Sequence, residues 1–161
     1  MRIGIVSDTH NNLKNCRRIV ELFNESGVEH VIHTGDITQA KTSEVFEHLA
    51  MPMTGVFGNN DQERDTLESA ILSAGFNFME PPLTLTWAER EIVVVHDPLE
   101  FSMVNTDDFD VLLHGHTHRQ TIEFDGDQLT FNPGECAGMM VGLNAIGILD
   151  LSEMLPDIVN F

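Results

Sequence analysis

Five times along this chain a short apolar run stops on residues that bind metals. "RIGIVS" leads into Asp8-Thr9-His10, "EHVIHT" into Gly35-Asp36, and "MTGVF" into Gly58-Asn59-Asn60-Asp61. "IVVV" leads into His96-Asp97, and "DVLL" into the histidine run from His114 through His116 to His118. Runs this short and rich in β-branched residues read as buried strands. Strands laid side by side gather their ends at one rim, and in α/β proteins ligands bind at that rim. Asp and Asn beside Gly also make turns and helix caps, so one such end means little. Five in one chain are much harder to assign to turns. The fold has to bring them together.

The segments between the runs say how. In "LKNCRRIVELFNESG", Leu13, Cys16, Val20 and Phe23 recur at helical spacing, and Gly27 ends the helix. Ser43 is placed to cap a helix presenting Val45, Phe46 and Leu49, and "TLESAILSAG" is a helix with Leu67, Ile71 and Ala74 inward. The second half changes rhythm: "LTLTW" and "EIVVV" read as one hairpin, "QTIEF" and "LTFNP" as another. The pattern predicts an α/β fold with two β-sheets packed face to face and helices outside. With 161 residues and no linker or repeat, the expectation is a single domain over 1–161.

Charge narrows the partners. Eight basic residues stand against 26 acidic ones, a formal net charge of −18, and such a surface repels phosphate backbones and anionic membranes. Long nucleic acids and membranes are therefore not expected partners, and bound divalent cations are expected to offset part of the acid. Oligomerisation is left open. The apolar N-terminal run reaches Asp8 and His10 before a signal-peptide core forms, so a cytoplasmic protein is expected. Cys16 and Cys136 form no motif, and Cys16 falls on the apolar face of its helix.

Asp, His and Asn offer mixed oxygen and nitrogen ligands without thiolate. That set suits Mn, Fe, Zn, Ni or Co better than Ca or Mg. The candidates exceed what one ion needs. Two ions about 3.5–4 Å apart and sharing a carboxylate would use them, and such pairs activate water for in-line attack at phosphorus.

The ordered set "DTH…GD…GNND…H…GHTH" resembles the calcineurin-like metallophosphoesterase superfamily, and "NPGE" at Asn132–Glu135 is most similar to its small prokaryotic phosphodiesterase branch. That branch also includes the retromer's small scaffold subunit. The resemblance implies a four-layer αββα sandwich of two mixed sheets with flanking helices. It implies Asp8, His10 and His118 on a first metal and Asn59, His96 and His116 on a second, with Asp36 bridging. The implied activity is a phosphodiesterase acting on small aryl or cyclic nucleotide diesters through a metal-bridging hydroxide, with Asp36, Asn59, Asp61 and His96 at the chemistry. Mn comes first among the metals, ahead of Ni, Fe, Co or Zn. A phosphomonoesterase and a non-catalytic scaffold are the alternatives.

Two positions depart from the family pattern. Many members carry a histidine where Asn60 stands, and an amide donates no catalytic proton. Asp97-Pro98 follows His96 where the branch usually has Gly-His, which adds charge and stiffens the rim. Asp61 is expected to orient Asn59, take part in proton transfer, or cap a helix. Arg119 is the candidate for binding phosphate. His114 and His33 read as structural, His30 and His48 as surface residues, Trp87 as packing, and Met139-Met140 as core or a patch near the rim.

Overall fold

A computed structural model describes residues 1–161. The chain opens with β1 (Arg2–Val6), α1 (Leu13–Ser26), β2 (His30–His33), α2 (Ala40–Phe46), β3 (Met53–Val56), α3 (Arg64–Ser73) and β4 (Asn77–Met79). It continues through β5 (Leu83–Trp87), β6 (Arg90–Val94), two 3-10 turns (Pro98–Met103 and Thr106–Asp108) and β7 (Val111–Leu113). The last elements are β8 (Thr121–Asp125), β9 (Gln128–Asn132), β10 (Ala145–Asp150) and β11 (Leu155–Asn160).

Two mixed sheets result. The first runs β11-β10-β1-β2-β3-β4, with β1 to β4 parallel and the β10-β11 pair antiparallel. The second runs β5-β6-β7-β9-β8, with β6, β7 and β9 parallel between antiparallel edges. Alternation along each strand sorts the apolar residues into layers. Ile3, Ile5, Ile32 and Val56 of the first sheet meet Ile92, Val94, Val111, Leu113 and Phe131 of the second. Val6 and Val31 face the other way, onto Ile19, Phe23, Phe46, Leu67 and Ile71 of the three helices. This is the expected pair of mixed sheets in an α/β sandwich. Its fourth layer is thin: the outer face of the second sheet (Val93, Val95, Leu112) is covered by Phe101, Val104 and Phe109 on and beside the 3-10 turns. No helix is long and apolar enough to cross a membrane.

Local chemistry sets the ends of α1. Asn12 accepts from the Asn15 amide at the N-terminus, and Gly27 closes the helix at φ 72°. α2 differs from expectation. It starts after Gln39, so Ser43 lies buried inside the helix and caps nothing, and Leu49 falls beyond its end. The serine sits where the chain has already turned. His30 is a second correction: its ring, at the start of β2, packs 4.4 Å from Trp87 on the edge strand of the second sheet, and burial lowers its pKa. β4 and β11 add to the expected strands. β4 has three residues, and β11 is an edge strand containing Pro156 with little alternation of buried positions.

Candidate metal centre

All five strand ends reach one rim. The turn after β1 presents Asp8 and His10, that after β2 presents Asp36, and that after β3 presents Asn59. β6 leads to His96, and β7 to His116 and His118. Asp8, His10 and His118 offer one atom each within 4.8 Å of one another, as do Asp8, Asp36 and His96. Asp36 Oδ2 lies between the two groups, 3.7 Å from His10 Nε2 and 3.4 Å from His96 Nε2. Asn59 Oδ1 and His116 Nδ1 close on His96 Nε2 at 3.0 and 3.3 Å. The seven expected ligands therefore form one cluster. His116 and His118 both adopt left-handed backbone, at φ 62° and 56°, as do Asp8, His10 and Asp36. Simple alternation would leave the two imidazoles parallel; these rotations aim them at different partners.

The surroundings fix which atom of each candidate ligand is free. His96 Nδ1 donates to Thr34 O at 2.9 Å, which leaves Nε2 for the centre. His118 Nδ1 lies 3.5 Å from the Glu135 carboxylate, and its Nε2 lies 3.4 Å from Asp8 Oδ1. Asp8 Oδ2 accepts from the Ser7 hydroxyl and the His116 amide, which leaves Oδ1 toward the cluster. Asp8 Oδ1 and His10 Nε2 are buried and have no hydrogen-bond partner. Buried polar atoms rarely stay unsatisfied, and two of them facing a cluster of hard and borderline donors fit a divalent transition metal.

Electrostatics agrees. Burial opposes the charge on Asp36, but hydrogen bonding from His96, its positive charge and donation from Asn60 outweigh it and hold the carboxyl well below the usual range. Burial also works against a charged His96, and Asp36 overrides it, raising the imidazole to about 9 in the metal-free chain. The Asp8 carboxylate raises His118. An imidazole held this close to carboxylates is primed to exchange its proton for a cation.

Glycine is needed where strands crowd the ligands. A Cβ at Gly58 would strike the Asp36 carboxylate, and one at Gly115 would strike Ser7 and Asp8.

The remaining sequence candidates fall into place around the cluster. Asp61 is buried, and its carboxylate accepts from the backbone amides of Asp36, Thr38 and Gly58. It does not cap α3, whose N-cap is Glu63. Asn60 donates to both Asp36 oxygens, through its amide side chain at 2.7 Å and its backbone at 2.9 Å. Asp97 caps the first 3-10 turn, where Glu100 returns a bond to the Asp97 amide and also accepts from the His96 amide. His33 is fully buried between Thr9 Oγ1 and the Gly35 amide. His114 is buried and its Nδ1 donates to Gly115 O.

Two cavities adjoin the cluster. One of about 570 Å³ lies beside Asn59, His96 and His116, and Arg64, Glu80, Asp97 and Glu100 are among its walls. Arg64 stacks 3.8 Å from the centre of the Phe57 ring, with Nη1 3.0 Å from Glu80 Oε1. The other, about 280 Å³, is lined by His118, Arg119, Gln120, Met140 and Leu143. Sequence reasoning missed Arg64 and Glu100, and gave Glu135 no role beyond its place in "NPGE". Arg64 sits in the first turn of a helix with no motif around it, and Glu100 shows only in its capping partnership.

A site of this composition, on the strand ends of a two-sheet α/β sandwich, defines a metal-dependent phosphoesterase. The calcineurin-like phosphoesterase superfamily domain matches residues 1–154, and this chain belongs to that superfamily. It is 36% identical over 158 residues to Phosphodiesterase MJ0936 of Methanocaldococcus jannaschii, covering 95% of each chain. A solved structure described as a novel archaeal phosphodiesterase superposes with a TM-score of 0.90 at 34% identity, covering 100% of both chains. Vps29 of Entamoeba histolytica, complexed with Zn²⁺, matches with a TM-score of 0.70 at 17% identity over 99% of both chains, a likeness of fold.

Proposed function

We propose that this chain is a phosphodiesterase that holds two divalent cations, Mn first among them, and cleaves small diesters with good leaving groups, such as aryl or cyclic nucleotide esters. The observation that carries the reading is the pair of unpartnered buried atoms, Asp8 Oδ1 and His10 Nε2, within the cluster of seven candidate ligands. The archaeal relative at 36% identity, named a phosphodiesterase, supports it. Asp8, His10 and His118 would hold one cation, Asn59, His96 and His116 the other, and Asp36 would serve both. Cations bound there polarise phosphoryl oxygens and lower the pKa of a bound water.

The protein's own groups set the choice of substrate. Asn60 keeps Asp36 ionised and in place. As an amide it has no proton for the departing oxygen, so that oxygen leaves carrying its charge and acidic leaving groups are favoured. Asp97 and Glu80 put negative charge on the walls of the larger cavity, which disfavours a dianionic monoester relative to a monoanionic diester. A cytoplasmic location suits two free, buried cysteines.

The test is metal-stripped protein reloaded ion by ion and assayed on paired aryl diesters and monoesters, alongside three alanine variants. Two ions per chain by elemental analysis and faster diester turnover are expected. His116→Ala and His118→Ala should abolish turnover with the fold intact, and His114→Ala should retain it. One ion at saturating Mn contradicts the dinuclear assignment, and faster monoester turnover favours a phosphomonoesterase. Full metal loading with no turnover of either ester favours a scaffold.

A further inference from the structure

A diester centred on the ligand cluster carries two ester arms, and the cluster has two cavities of opposite character. The cavity beside His96 and His116 has one hydrophobic residue, Phe57, among twelve. The cavity beside His118 has two among five, Met140 and Leu143. Leu143 is 48% exposed and Met139, on the same loop, is 65% exposed, so apolar side chains stand in water at the edge of the cluster. Covering them with an apolar ligand group is favourable.

The loop that carries these side chains is tied to the cluster. Glu135 is fully buried, and a buried carboxylate is tolerated only when its oxygens are occupied. Oε1 accepts from the Met140 amide at 2.7 Å and Oε2 from the Met139 amide at 3.2 Å. Oε2 also lies 3.5 Å from His118 Nδ1. One carboxylate thus ties the loop to His118, a candidate ligand, and holds the apolar wall at the edge of the cluster. Gly138 and Gly142, at φ 77° and 78°, turn the backbone tightly on either side of Met139, Met140 and Val141.

We propose that the His118-side cavity is the seat of an apolar ester arm, aromatic or aliphatic, and that the substrate is an unsymmetrical diester whose other, polar arm lies toward Arg64. This rests on the phosphodiesterase reading above. The test uses two diester mimics with methoxide as their only, poor leaving group: methyl phenylphosphonate and methyl methylphosphonate. Both are measured as competitive inhibitors of aryl diester hydrolysis by the Mn-loaded enzyme. The phenyl compound is expected to bind about tenfold more tightly, and Leu143→Ser and Met140→Ser should each remove most of that ratio. Leu72→Ser, 70% exposed on α3, should leave the ratio alone. Equal inhibition in the wild type, or a phenyl advantage that survives both cavity variants, overturns the assignment while the phosphodiesterase reading stands. No turnover of the aryl diester at full metal loading overturns both.

Discussion

Replacing Asp61 by asparagine keeps the side chain's size and removes one of its two acceptor oxygens. In the native loop Oδ2 serves the Asp36 and Gly58 amides at 3.1 and 2.7 Å, and Oδ1 serves Thr38. An asparagine that keeps the shared pair must turn its NH₂ toward the Thr38 N–H, donor against donor. Losing a hydrogen bond to a charged acceptor and leaving the partner unsatisfied costs about 2–3 kcal/mol. For a domain of this size that is a fall in Tm of roughly 5–10 °C. The Thr38 N–H belongs to the turn after β2 that also carries Asp36, so Mn affinity should fall with stability. The assay pairs thermal melts of metal-free protein with Mn binding measured by competition against a chelating dye. Bracing predicts that both fall together. A variant that loses kcat while Tm and Mn affinity stay at wild-type values would refute this reasoning and make Asp61 a proton-transfer group.

His33 gives a pH signature. Burial, only partly offset by Asp8 and Asp36, lowers its pKa from 6.5 to about 3, so the folded chain takes up its proton less readily than the unfolded one. Its contribution to stability is complete above about pH 6.5 and is lost as pH falls toward 3, at about 1.4 kcal/mol per pH unit. His33→Gln should flatten that slope in urea titrations between about pH 6 and 4. Asn60 gives a kinetic one. Wild-type rates on methyl aryl phosphates should fall steeply as the leaving group becomes less acidic, and Asn60→His should make the series shallower. A flat wild-type series would show that the departing oxygen is protonated elsewhere.

The two-sheet sandwich and the polar strand ends were legible because both depend on local pattern. Short apolar runs specify buried strands, and each run ended on a candidate ligand, so Asp8, Asp36, Asn59, His96 and His116 needed only the fold to meet. What escaped is what depends on distant partners. Ser43 looks like a cap until α2 is seen to begin at Ala40. His30 looks exposed until Trp87 arrives from the other sheet. Glu135 becomes part of the site only because the strand before it runs beside β7, and Arg64 only because α3 starts at the cavity wall. β11 left no periodic signal, since an edge strand with a proline buries little on either face.

Asp8, His10, Asp36, His116 and His118 all hold left-handed backbone without being glycine, at φ between 43° and 62°. Each such residue costs about 1 kcal/mol or more, so the rim stores energy of the order of the stability of many small domains. The bare protein is therefore a cocked spring at this one edge, held in shape by the sheets behind it. A cation that engages several of these side chains at once would find its donors already aimed and the backbone already bent. Metal uptake should accordingly need no rearrangement of the three turns that carry these residues, and should be faster and less temperature-dependent than capture by freely rotating side chains.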